Sequence, residues 1–173
     1  MQKVLFLDRD GVINVEKDYL YKIEDFEFID GVFDTLKYAN KLGFKIIIIT
    51  NQSGIGRKYY TKEQYDKLTL WLKEQFKNNS TDITEIFCCP HTPTDNCTCR
   101  KPNIGMINNA SKLLKIDFEN SWLVGDKSSD IQTAINANIP NTVQVCSGHS
   151  FDKNNSKAKY VLNSIKELAN ILN

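Results

Sequence analysis

Short runs of apolar and β-branched residues recur at 3–7, 45–50, 84–88, 122–125 and 142–146. They read as strands, and most of the long intervals between them hold helical patterns. Val32, Phe33, Leu36 and Ala39 draw one helix face that stops at Gly43. Thr61 followed by Gln64 gives a capping-box start for a second helix with the stripe Tyr65, Leu68, Leu72 and Phe76. Residues 104–114 and 129–138 look helical, and Tyr160, Val161, Ile165, Leu168 and Leu172 predict a last helix. FEFI at 26–29 predicts a short extra strand, and 148–157 a polar loop. This βαβ rhythm predicts one α/β domain over 1–173, a mainly parallel sheet covered by helices.

At 173 residues and 41% apolar content, one domain with a sizeable core is the simplest expectation. The 22 basic and 21 acidic residues leave a net charge of +1, so no global field draws the chain onto nucleic acid or an anionic bilayer. No run of 18 apolar residues and no secretory signal is visible, so the cytoplasm is the default location. A monomer with a small-molecule substrate is expected.

Cysteines change the picture locally. Four of the five fall between Cys88 and Cys99, beside His91, in a stretch too rich in Pro, Thr, Asp and Asn to be regular. That clustering argues for metal rather than disulfides. Cys89, His91, Cys97 and Cys99 offer three thiolates and an imidazole, a set suited to closed, structural Zn²⁺ in a loop over 89–99. Cys88 is expected to point into the core. Cys146 stands alone and reads as a small hydrophobe.

The chemistry centres on LFLDRDGV at 5–12, where a strand ends by presenting Asp8 and Asp10. Thr50, Lys101 and Asp126 lie in segments that can converge with them beyond the carboxyl ends of a parallel sheet. Asp8 can attack phosphorus in line, and Asp10 can protonate the leaving alkoxide and then deprotonate water. Asp8, Asp126 and a backbone carbonyl near Asp10 suit Mg²⁺, while Thr50 and Lys101 can neutralise phosphoryl oxygens. Asp130 is placed to orient Lys127 or a metal-bound water. A zinc-bearing nucleic-acid module has only Arg100-Lys101 and the metal loop behind it, and is excluded by the charge balance.

These residues resemble the four motifs of the haloacid dehalogenase-like phosphatases: Asp8-Arg9-Asp10-Gly11, Thr50, Lys101, and Gly125-Asp126-Lys127 with Asp130. More narrowly, DRDGVIN (8–14), FEFIDGV (26–32), TNQSGIGR (50–57), CPH (89–91), CTCRKP (97–102) and VGDKSSD (124–130) resemble the bacterial heptose-1,7-bisphosphate 7-phosphatases. The resemblance implies a Rossmannoid fold, magnesium, structural zinc, and removal of the C7 phosphate through an aspartyl-phosphate, supplying heptose for lipopolysaccharide or other surface glycans. Histidinol-phosphate phosphatases share DRDG, CRKP and the zinc loop; TNQSGIGR, with no Asp after the Gln, favours the heptose activity. Only residues 11–49 separate the first motif from Thr50, too few for a large cap domain. Short loops must then recognise the sugar, making Asn14, Asp18, Tyr19, Asn51, Gln52, Ser53 and Arg57 substrate-side candidates. Arg100 and Lys127 are available to the retained phosphate. His149, a lone histidine in a polar loop, reads as ordinary surface.

Overall fold

In a computed structural model of the chain, which describes residues 1–172, the five expected strands form. They are β1 (Val4–Leu7), β2 (Lys45–Asn51), β3 (Glu85–Cys89), β4 (Trp122–Gly125) and β5 (Asn141–Val145). With β6 (Tyr160–Leu162) they make one sheet in the order β3-β2-β1-β4-β5-β6, parallel at every pairing. The helices are α1 (Val32–Lys41), α2 (Ser53–Gly56), α3 (Lys62–Asn78), α4 (Gly105–Leu113) and α5 (Ser128–Asn136). Among the described residues no helix is long and apolar enough to cross a membrane.

Successive strand residues point to opposite faces, so each central strand feeds two cores. Leu5, Leu7, Ile46, Ile48 and Val124 pack with α1 and with Leu72 and Phe76 of α3. Val4, Phe6, Ile47, Ile49 and Leu123 pack with Met106, Ile107 and Ala110 of α4 and Ala134 of α5. Helices on both faces explain why these strands lack a polar side. Both halves of the Thr61–Gln64 capping box form at the start of α3, and all four expected stripe residues are buried.

The carboxyl-terminal segment differs from expectation. Residues 160–172 form β6 followed by a 3-10 turn over Ile165–Asn170, not one helix. Tyr160-Val161-Leu162 suits an edge strand, and Tyr160 stacks on Trp122 with ring centroids 5.6 Å apart. The Ser164 side chain then accepts from the Lys166 N–H and starts the turn. Ile165, Leu168 and Leu172 are still buried in the α1 core, so the apolar spacing survives where the helix does not. FEFI makes one antiparallel bridge, Asn14 with Phe28, rather than a strand. Its aromatic rings pack on Trp71 instead.

The sheet runs from β1 outward to β2 and β3, then returns to β4 on the other side of β1. Connections therefore leave β1 and β4 in opposite directions, opening a crevice beyond their carboxyl ends. Asp8 and Asp126 follow those two strands directly, and Thr50 lies at the end of β2.

Candidate active site

Asp8 is tied to the sheet end by its own N–H, which donates to the Val124 carbonyl at 2.9 Å. Its Oδ1 accepts from the Arg9 N–H at 2.8 Å and pairs with Lys101 Nζ at 2.9 Å. The Lys101 ammonium also pairs with Asp130 Oδ1 at 2.6 Å and donates to the Ile49 carbonyl at 2.9 Å. Asn51 fixes the lysine backbone, accepting from the Lys101 N–H at 3.0 Å and donating to its carbonyl at 3.3 Å. Burial pushes the Asp8 carboxyl up to about 6 although Lys101 opposes it. Burial also disfavours the Lys101 charge, but Asp130 and Asp8 outweigh it and hold the ammonium more firmly than usual.

Asp10 faces a different set of donors. Arg9, itself buried, reaches Oδ1 at 2.8 Å and also donates to the Leu20 carbonyl. Asn14 donates to the same oxygen at 3.0 Å, and Gln52 donates to Oδ2 at 2.9 Å. Burial alone would raise the Asp10 carboxyl; Arg9 and these hydrogen bonds win and hold it below the usual carboxylate range. Gln52 is held in turn by Tyr60, whose hydroxyl donates to Oε1 at 2.6 Å, while Nε2 also reaches Thr50 Oγ1 at 2.7 Å.

Asp126 is buried, and its Oδ2 accepts both the backbone N–H of His149 at 2.8 Å and the ring Nδ1 at 2.7 Å. Gly11 makes this packing possible: its φ of +82° turns the DRDG loop, and a Cβ there would lie 2.7 Å from Asp126 Oδ2. Asp126 Oδ1 is buried with no protein partner. Burial, then the Asp8 charge, push its carboxyl above the usual carboxylate range. Asp8, Asp126 and Asp130 each bring a carboxylate oxygen within 4.8 Å of the others. An orphaned, buried carboxylate oxygen in an all-oxygen cluster fits a hard divalent cation.

These groups floor a crevice of about 340 Å³. Asp8, Asp10, Lys101 and Asp130 line it, as do Asn51, Gln52, Ser53 and Arg57 from the β2 side. Asp18 and Tyr19 close one edge, and Arg100 and Lys127 bring positive charge to the rim. Three expected site residues lie beneath the lining rather than on it: Thr50, Asn14 and Asp126 are buried under Gln52, Asp10 and the loop at His149. Glu16 also lines the crevice, and burial, with Asp10 next, pushes it up to about 7.

The cysteine loop closes on itself beside the crevice. Cys89, His91, Cys97 and Cys99 approach one another at 3.1–3.6 Å between sulfur and Nδ1 atoms. A tetrahedral zinc with bonds near 2.3 Å to sulfur and 2.0 Å to nitrogen needs ligand separations of about 3.5–3.8 Å. The four side chains thus fit zinc with a small expansion. Burial would raise the Cys97 thiol, but the Arg100 N–H and neighbouring thiols bring it down to about 7, while burial keeps the Cys89 and Cys99 thiols raised.

The family profile described as Polynucleotide kinase 3 phosphatase matches residues 3–168. A Photorhabdus laumondii protein named D-glycero-alpha-D-manno-heptose-1,7-bisphosphate 7-phosphatase is 50% identical over 154 residues, covering 85% of this chain and 84% of its own. A Helicobacter pylori protein with the corresponding beta-anomer name is 46% identical over 142 residues, covering 82% of each chain. The chain belongs to the heptose-1,7-bisphosphate 7-phosphatase family. The phosphatase also has the fold of the B. bronchiseptica D,D-heptose 1,7-bisphosphate phosphatase solved with magnesium and phosphate. That structure aligns at a TM-score of 0.85 and 24% identity over 98% of this chain and 97% of the other. The haloacid dehalogenase-like architecture expected from the motifs is the one the phosphatase adopts.

Four groups at the phosphatase site were not anticipated from sequence: Arg9, Glu16, Tyr60 and His149. Arg9 sits inside the first motif, yet only the fold turns its guanidinium back onto Asp10. Tyr60 acts at one remove, through Gln52. His149 carries a positional signal, since Gly148-His149 follows β5 much as Gly125-Asp126 ends β4.

Proposed function

We propose that this protein removes the C7 phosphate of D-glycero-D-manno-heptose 1,7-bisphosphate and leaves the C1 phosphate in place. The observation that carries the reading is the buried Asp8 carboxylate on Lys101, beside the unpartnered Oδ1 of Asp126, at the floor of a crevice rimmed by bases. The names of the relatives supply the sugar. They do not favour a histidinol-phosphate activity.

In this reading Asp8 is the nucleophile. With its acidity near 6 it is mostly carboxylate at neutral pH, and attack on phosphorus forms an aspartyl-phosphate while the C7 alkoxide departs. Asp10 starts as a carboxylate, and the dianionic phosphoryl group arriving beside it raises its proton affinity. The proton it takes up goes to the alkoxide, and the carboxylate so regenerated removes a proton from the water that cleaves the acyl phosphate. Lys101 offsets charge on the phosphoryl oxygens, and Asp130 positions it. Thr50, buried beneath Gln52, accepts from its amide and so serves by holding Gln52 against Asp10.

Asp8, Asp126 and a backbone carbonyl near Asp10 would hold Mg²⁺, which when bound would supply positive charge against the repulsion between carboxylate and phosphate. Arg100 and Lys127 hold the retained phosphate, while Asp18, Tyr19, Ser53 and Arg57 face the sugar; Asn51, expected on the sugar, instead spends its amide on the Lys101 backbone. Asn14 and Gln52, expected on the sugar, serve by orienting Asp10. Structural zinc on Cys89, His91, Cys97 and Cys99 orders the loop that delivers Arg100 and Lys101. A thiolate set of this kind suits a reducing compartment, which supports a cytoplasmic location; the reading takes the enzyme as a monomer of one domain with its zinc loop.

The test is phosphate release with Mg²⁺ from both C1 anomers and from histidinol phosphate. A kcat/KM preference of about 100-fold for a heptose anomer, worth about 2.7 kcal/mol, is expected. A preference for histidinol phosphate would overturn the substrate while keeping the chemistry.

A further inference from the structure

His149 has no part in the mechanism above, yet it makes the shortest side-chain contact to Asp126. Both of its donors converge on one oxygen: the backbone N–H at 2.8 Å and ring Nδ1 at 2.7 Å meet Asp126 Oδ2. An ionised carboxylate only accepts, so Nδ1 carries the proton in this contact. Oδ1 receives nothing from the protein and is buried. The carboxylate is thus divided into a clamped oxygen and a free one.

The clamp has other parts. Any Cβ on Gly148 would overlap the Asp126 carboxylate, so the loop after β5 approaches as closely as backbone can. The Ser147 hydroxyl donates to the Gly11 carbonyl at 2.6 Å and ties that loop to the first-motif turn. Glu16 Oε2 stands 3.8 Å from the same Nδ1. That ring nitrogen therefore faces both carboxylates and is nearer Asp126 by more than an ångström.

We propose that His149 is a positioning residue that fixes the Asp126 carboxylate with Oδ1 presented to the divalent cation. Without the ring, one backbone donor remains. The carboxylate can then rotate about its Cβ–Cγ bond or swing toward other donors, and the free oxygen loses its fixed direction. Hydrogen bonds that orient a first ligand in this way change metal affinity by about 10- to 100-fold. The inference rests on Asp126 being a cation ligand.

The experiment is Mn²⁺ binding to the zinc-loaded, substrate-free protein, followed by the EPR signal of the free ion. His149→Asn keeps a donor near the Nδ1 position, and His149→Leu has a similar volume but no donor; His149→Ala repeats the loss in a smaller side chain. Leu and Ala are expected to weaken Mn²⁺ binding about 10- to 100-fold, with Asn within about threefold of the native protein. Circular dichroism identifies any variant that has lost its fold, and the Asn comparison stands if one has. Native affinity in Leu or Ala, or an equal loss in folded Asn, would overturn the role of His149 alone. Failure of the native protein to bind Mn²⁺ would overturn the cation reading of Asp126, and this inference with it.

Discussion

Replacing Lys101 by Met removes a charge that three buried groups share while keeping a side chain of similar length. The ammonium is 2.9 Å from Asp8, 2.6 Å from Asp130 and 2.9 Å from the Ile49 carbonyl, and its side chain is 2% exposed. Taking away one member of such a buried pair costs about 3–5 kcal/mol, because the partners stay behind uncompensated. Asp8 has a way out, since it can take a proton. Its folded value of about 6 already lies above its ordinary 3.8, with burial raising it and Lys101 pulling it down. Removing the lysine raises it further. Stability held by the neutral acid is lost as pH rises through the folded value, so the deficit of Lys101→Met grows from the acid side toward alkaline pH. Urea unfolding of the zinc-loaded protein without Mg²⁺ should show a loss of about 3–5 kcal/mol near pH 8 and a smaller one near pH 5.5. At neutral pH with Mg²⁺, kcat should fall about 10²- to 10³-fold, as when one preorganised electrostatic partner is deleted. A loss under about 1 kcal/mol, or the same loss at both pH values, would refute the assignment of Lys101 as the shared countercharge.

Asp8→Asn should abolish turnover yet leave the metal-free protein at least as stable as the native one near pH 8, because burial already disfavours the Asp8 charge; a large fall in urea midpoint contradicts this. Tyr60→Phe removes the hydroxyl that donates to Gln52 and should cost about 1 kcal/mol in the same assay, with a severalfold drop in kcat through Gln52 and Asp10. Cys97→Ser should lower bound zinc, measured by plasma mass spectrometry, and reduce activity tenfold or more by loosening the segment that carries Arg100 and Lys101. Full activity in the zinc-free variant would separate the loop from catalysis. Mg²⁺ should raise Tm more near pH 8 than near pH 5.5, since binding needs the carboxylates deprotonated; calorimetry at the two pH values decides it.

The sheet was legible because each central strand is an unbroken apolar run, and the first two acids of the site follow such runs directly. Asp8 after VLFL and Asp126 after WLVG need only the rule that parallel sheets bind ligands at their carboxyl ends. Lys101 has no such local signature: it reaches Asp8 from an irregular loop, 93 residues further along the chain, and only its CRKP motif announces it. The last strand was hidden because Tyr160-Val161-Leu162 continues an apolar spacing that also fits a helix. Pairing with β5 and the ring of Trp122 decided between the two, and both partners are distant in sequence.

The direction of polar side chains was the least legible part of the site, and the reason is electrostatic. Asn14 and Gln52 stand beside the crevice and were expected to face a sugar, as amides do in many carbohydrate sites. Their NH₂ groups instead meet the two oxygens of Asp10, with Arg9 beneath. A carboxylate withdrawn this far from water, its side chain 17% exposed, must collect donors or give up its charge, and the nearest amides supply them at less cost than a charged group brought from the surface. The same demand at Asp126 recruits His149 from a loop 23 residues away. Wherever a motif commits an acid to a buried strand end, the polar residues closest to it should therefore be assigned to the acid before the substrate. Asp18, Tyr19, Ser53 and Arg57, which line the crevice away from both networks, remain the groups proposed to meet the sugar.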